Sequence, residues 1–280
     1  MSQLTAPNRS IEGANGVTYA YRRFGNTDTA ALPLVFFQHY RGNLDNWDPA
    51  LIDAIAEHRE VILFDNTGVG GSTGTAPRTV TAMAHDALAF LDALHLEHID
   101  ILGFSLGGFV AQELTLLRPQ TIRRIVLAGT GPQGGERMQG LTDDIAVHAV
   151  RDEPGAEDLL ALFFERSDTS IARGWEFIQR IYTRTEGRDA DTTLTTRDAQ
   201  LEAVTAWGAL NTNGTNRLAA ITHPVLAANG ENDRMIPTIN THLLAERLPD
   251  ARVKIYPDAG HGFLFQYPTE FAGEIDAFLA

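Results

Sequence analysis

Ser105 stands in Gly103-Phe104-Ser105-Leu106-Gly107-Gly108, directly after the apolar run Ile99–Leu102 and before an amphipathic segment carrying Val110, Leu114 and Leu117. This is G-x-S-x-G in a strand–turn–helix setting, where a sharp turn leaves the serine hydroxyl exposed and free to attack a carbonyl carbon. Glycine two places to either side lets strand and helix approach closely, and the serine between them is held in a strained conformation. With 25 glycines among 280 residues, chance supplies about 0.05 such matches in the chain. The plainer reading, a glycine-rich helix start, has that rarity against it. Leu106, the residue after the serine, is placed to offer its backbone N–H to an oxyanion.

Other chemistries find little support. The chain has no cysteine, which excludes thiolate catalysis, disulfides and cysteine-based zinc or iron–sulfur sites. Its single lysine, Lys254, lies in the alternating run Arg252–Tyr256, where neither a phosphate loop nor a Schiff base would put it. In Asp65-Asn66-Thr67-Gly68-Val69-Gly70-Gly71-Ser72 a dinucleotide reading fails, because the third glycine should fall at position 73 and the residue there is Thr73.

The serine turn needs a scaffold, and the sequence supplies one. Short apolar runs alternate with helix-period segments, as in a parallel sheet covered by helices on both faces. The expected strands are Val17–Arg22, Leu34–Gln38, Val61–Phe64, Ile99–Leu102, Ile125–Ala128, Val225–Ala228 and Val253–Tyr256. Short crossovers suggest that consecutive strands are neighbours. Between them, Thr79–Leu94 reads as a helix with Val80, Ala84, Ala87, Leu91 and Leu94 on one face.

After Ala128 a turn-rich stretch opens a region with helical periodicity and no convincing strand. There Ile171, Trp175, Ile178 and Tyr182 mark one helix face and Arg173, Glu176 and Arg180 the other. The expected organisation is therefore a core in two parts, 1–131 and 223–280, interrupted by a helical insertion over 132–222.

Over almost its whole length the chain resembles the α/β-hydrolase superfamily, nearest its esterases, cofactor-free perhydrolases and carbon–carbon hydrolases. The resemblance implies a mostly parallel twisted sheet, a helical lid inserted after the sixth strand, and a nucleophile, acid and histidine in that chain order. Gly230-Glu231-Asn232-Asp233-Arg234-Met235-Ile236-Pro237 resembles the family's G-x-x-D-x-x-x-P and gives Asp233 as the acid; its plainer reading is a helix cap. Glu231 is the rival carboxylate. Asp258-Ala259-Gly260-His261-Gly262-Phe263 resembles the family's G-H and gives His261 as the base, whereas His242 falls inside a helix-period run. Gln38-His39-Tyr40-Arg41-Gly42, with Trp47 beyond it, resembles H-G-x-x-G…W and gives the Tyr40 N–H as the second oxyanion donor. Here the chain departs from the family: Gln38 replaces histidine and His39 replaces glycine, so either the loop differs or His39 carries a strained backbone. The Asp65–Ser72 run resembles the family's D-x-x-G-x-G-x-S loop, whose role is structural.

The resemblance implies a serine hydrolase acting on a small carboxylic ester or lactone without metal or organic cofactor. The alternatives are carbon–carbon hydrolysis of ring-cleavage diketones, cofactor-free perhydrolysis, and ligand binding on the same fold. Pocket candidates are His39, Phe104, Phe163, Trp175 and Trp207, the last three from a lid that also carries Phe164 and Phe177. A net charge of -14 speaks against nucleic acid and anionic membrane surfaces as partners. Met1–Ser10 lacks the apolar stretch of a secretory signal and no later segment approaches the length of a membrane span, which gives a cytoplasmic expectation. Association with further copies of the chain is left open.

Overall fold

The computed structural model describes residues 1–211 and 213–280. Among these described residues one sheet of eight strands forms the centre. The strands are β1 (Arg9–Glu12), β2 (Thr18–Gly25), β3 (Leu34–Phe37), β4 (Glu60–Phe64), β5 (Ile99–Phe104), β6 (Ile122–Ala128), β7 (Val225–Gly230) and β8 (Ala251–Tyr256). Their order is β1-β2-β4-β3-β5-β6-β7-β8. From β4 to β8 all neighbours are parallel, while β1–β2 and β2–β4 are antiparallel. Seven strands stand where the apolar runs placed them. β1 escaped that reading because Arg9–Glu12 is mostly exposed and carries a single apolar residue.

The expectation that consecutive strands are neighbours fails for two pairs, β2 with β3 and β4 with β5. β2 pairs with β4, and β3 is inserted between β4 and β5. A central position requires apolar residues on both faces, and Leu34–Phe37 is buried throughout. The consequence is functional, since the loops that leave β3 and β5 emerge side by side.

Alternation of side chains along each strand feeds two cores. On one face Leu34, Phe36, Leu102 and Val126 pack with helices α1 (Pro49–Ala56) and α10 (Pro268–Leu279). On the other, Val35, Phe37, Ile101 and Leu127 pack with α2 (Val80–Ala93) and α3 (Leu106–Leu117). α2 starts at Thr79, whose side chain accepts from Ala82 N, and buries Val80, Ala84, Ala87 and Leu91 as its periodicity requires. α8 (Ile239–Arg247) and the short α9 (Phe263–Gln266) complete the core.

Between β6 and β7 lie α4 (Asp143–Ala149), α5 (Ala156–Phe163), α6 (Asp168–Ile181) and α7 (Leu194–Gly208). α6 is helical as its pattern suggests, but a different face is buried: Gly174, Phe177, Ile178 and Ile181. Trp175 and Tyr182 are half-exposed. Two contacts rotate the helix. A β-carbon at Gly174 would lie 2.4 Å from Leu160 Cδ2, so the missing side chain lets α5 close in. Arg180, expected outward, instead grips the buried Asp48 with two bonds of 2.8 and 2.6 Å. Among the described residues no helix is long and apolar enough to cross a membrane.

Candidate active site

Ser105 occupies the turn between β5 and α3 with φ 57° and ψ -120°, a left-handed backbone that a residue with a β-carbon adopts only when its surroundings force it. Its flanking glycines show what forces it. A β-carbon at Gly103 would come within 2.4 Å of Gly107 O, and one at Gly107 within 2.0 Å of Phe37 O. The second contact also shows why β3 must lie beside β5. Ser105 N donates to Ala128 O at 2.9 Å and Thr130 Oγ1 donates to Ser105 O at 2.9 Å, fixing both sides of the turn.

The loops after β7 and β8 bring the acid and the histidine together. His261 Nδ1 lies 2.7 Å from Asp233 Oδ2, with both side chains fully buried. A carboxylate facing Nδ1 keeps the proton on that nitrogen, so Nε2 presents a lone pair. Nε2 is buried without a hydrogen-bond partner, and His261 lines the cleft that holds Ser105. Asp233 caps no helix, since α8 begins at Ile239 behind Thr238, but its Oδ1 braces the loop by accepting from Met235 N at 2.8 Å and Ile236 N at 2.9 Å. One oxygen holds the loop and the other holds the imidazole. Glu231 faces elsewhere, taking Asp258 N at 3.4 Å, and His242 is exposed on α8.

The loop after β3 resolves the His39 question. His39 keeps a negative φ, and the left-handed residue is Arg41, at φ 64°. That conformation is held from outside: Arg41 N donates to Gln200 Oε1 at 2.7 Å, Arg41 O accepts from Thr192 Oγ1 at 2.7 Å, and the guanidinium reaches Arg151 O and Asp152 O. Gln38 braces the loop internally, accepting from His39 N at 2.9 Å and donating to Asn43 O at 2.8 Å. His39 Nδ1 donates to Tyr40 O at 2.8 Å, and burial lowers its pKa to about 4, so the ring is neutral. Burial raises the Tyr40 phenol to about 12; its hydroxyl donates to Ala149 O at 3.4 Å and ties the loop to α4.

Ser105 lies on a cleft that is partly open to solvent. His39, Tyr40, Phe163 and Met235 line it with Ser105 and His261. Three pocket expectations need correction. Phe104 is fully buried beneath the site, its ring 5.0 Å from that of His261, because the residue before the serine still belongs to β5. Trp207 stacks on Phe109 at 5.2 Å and donates Nε1 to Gly131 O, so it belongs to the packing of α7 on α3. Trp175 is 43% exposed on the outer face of α6.

Sequence reasoning passed over a second histidine–carboxylate pair, His148 with Asp158 at 2.7 Å, whose histidine lines the cleft. Burial alone would raise the Asp158 carboxyl, but His148, Gly155 N and Arg151 together hold it below the usual range. A histidine within a short amphipathic helix carries no local signal of such a partner ten residues on.

Residues 33–268 match the family model described as alpha/beta hydrolase fold. The RutD protein of Azorhizobium caulinodans, provisionally named a carbamate hydrolase, is 28% identical over 269 residues, covering 88% of this chain and 93% of the relative. A poly(3-hydroxyalkanoate) depolymerase of Ectopseudomonas oleovorans is 29% identical over 260 residues, covering 88% and 84% of the two chains. An alpha/beta hydrolase fold protein from Chitinophaga pinensis superposes with a TM-score of 0.92 at 42% identity, covering 100% of this chain and 99% of that one.

Proposed function

Because the chain belongs to the α/β-hydrolase fold family, we propose that it is a serine hydrolase cleaving a small carboxylic ester or lactone through an acyl-enzyme. The observation that carries this reading is that a strained Ser105 and a His261 backed by Asp233 line one cleft. In this mechanism His261 Nε2 takes the Ser105 proton as Oγ attacks the carbonyl carbon, and Asp233 stabilises the imidazolium that forms. The oxyanion accepts from the N–H groups of Leu106 and Tyr40. Collapse expels the alcohol, which leaves with the proton held by His261, and water then repeats the sequence on the acyl-enzyme. His261 Nε2 and Ser105 Oγ share no hydrogen bond in the structure, as is common before substrate tightens such a site.

In the same reading the stretch 132–222 acts as a lid. Its residues His148, Ala149, Leu159, Leu162 and Phe163 are among those that line the cleft. The test is turnover of p-nitrophenyl acetate and butyrate by wild type and by Ser105→Ala, beside a lactone and a vinylogous diketone. Ester or lactone turnover that disappears with Ser105 supports the proposal. Turnover of the diketone alone moves the reading to carbon–carbon hydrolysis, and equal activity in a folded Ser105→Ala sinks it.

A further inference from the structure

A second cavity, partly open to solvent, shares Met235 with the catalytic cleft. Phe109 of α3, Ala146 of α4, Leu201 and Val204 of α7, and Ile236 are among its walls, and no charged side chain lines it among the described residues. Two elements form the partition. Met235 lines both spaces, and α4 turns His148 and Ala149 to the cleft but Ala146 to the second cavity. The backbone of Met235 is pinned, since its N–H donates to Asp233 Oδ1 at 2.8 Å. Its side chain is the adaptable part, an unbranched thioether with three rotatable bonds that can move aside without disturbing the acid.

An apolar pocket that shares a wall residue with a reaction cleft is placed to take part of what that cleft binds. The lining specifies its chemistry: without charges and with Thr205 as its polar side chain, it holds an apolar group and cannot reward an ionic one. The position of Met235, two residues from the proposed acid, specifies what the occupant is joined to. We propose that the second cavity is an acyl-chain subsite, entered past Met235, and that the substrates are esters whose unbranched acyl chain is longer than butyryl. This rests on the ester-hydrolase reading above.

The experiment measures kcat/KM for p-nitrophenyl acetate, butyrate, hexanoate and octanoate in wild type, Leu201→Trp and Val204→Trp, with thermal melts to confirm folding. In wild type the values should rise beyond butyrate by up to about fourfold for each methylene that becomes buried. An indole at either position projects into the cavity and obstructs it, so the octanoate-to-acetate ratio should fall at least about tenfold. Folded variants that keep the wild-type ratio would overturn the subsite and leave the hydrolase reading intact. If wild type turned over no ester, the hydrolase reading would fail instead, and calorimetry would decide the cavity. Octanoic acid bound by Ser105→Ala and lost on adding Leu201→Trp supports it; equal binding by both, or binding by neither, rejects it.

Discussion

His39 is a residue whose chemistry follows from its burial. Its pKa falls from 6.5 to about 4 because the charged ring would lose water, so the folded protein holds fewer protons than the unfolded chain between those values. Stability from this group is therefore fully present above pH 6.5 and is lost as pH falls towards 4, by on the order of 3 kcal/mol. His39→Phe should flatten that part of the stability curve, measured by denaturant unfolding from pH 7 to pH 4; an unchanged slope would place the titration elsewhere. The double duty of Asp233 gives a second test. Asparagine keeps an acceptor for Met235 N and Ile236 N but loses the charge behind His261, so Asp233→Asn should retain most of its melting temperature while kcat falls by roughly 10⁴. Glu231→Gln should stay within about tenfold of wild type, and the reverse ranking would relocate the acid. Ser105→Ala should lose activity by several orders of magnitude with its fold intact.

At the scale of elements, the two tryptophans of the inserted helices separate packing from pocket. Trp207 is 5% exposed and stacked on Phe109, so Trp207→Ala should cost about 3–5 kcal/mol. Trp175, 43% exposed, should cost under about 1 kcal/mol and leave the ranking of acyl groups unchanged. Thermal melts with a chain-length series check both, and an altered ranking in Trp175→Ala would return that residue to the pocket. The period of α6 was legible because helical spacing is a local property. Its buried face was not, since Gly174 and Arg180 turn inward only when Leu160 and Asp48 are there to meet them.

Across the molecule, polar ties hold the inserted helices over the sheet. Arg180 reaches Asp48 at the start of α1, Thr196 Oγ1 donates to Gly68 O at 2.8 Å, and Asp189 N donates to Asp45 Oδ2 at 2.7 Å. Burial pushes the Asp48 carboxyl up and Arg180 opposes that shift, so Arg180→Met should strand a buried charge. The expected loss is about 2–4 kcal/mol, below the figure for a fully buried pair because Arg180 is 28% exposed. A melting temperature within error of wild type would show that the tie is replaced by solvent.

The sequence by itself determined the strand runs, the serine turn and the loops that carry Asp233 and His261, because each rests on local rules: side-chain period, glycine where a chain must pass close, a turn after a strand. It also fixed the chemistry of the residues that could act. Only the tertiary structure decided that β3 lies between β4 and β5, that Arg41 rather than His39 takes the left-handed backbone, and that Phe104 and Trp207 pack while Met235 and His148 line the cleft. Those outcomes depend on contacts between residues far apart in the chain, where the deciding quantity is which neighbour occupies the space, and no local pattern encodes it.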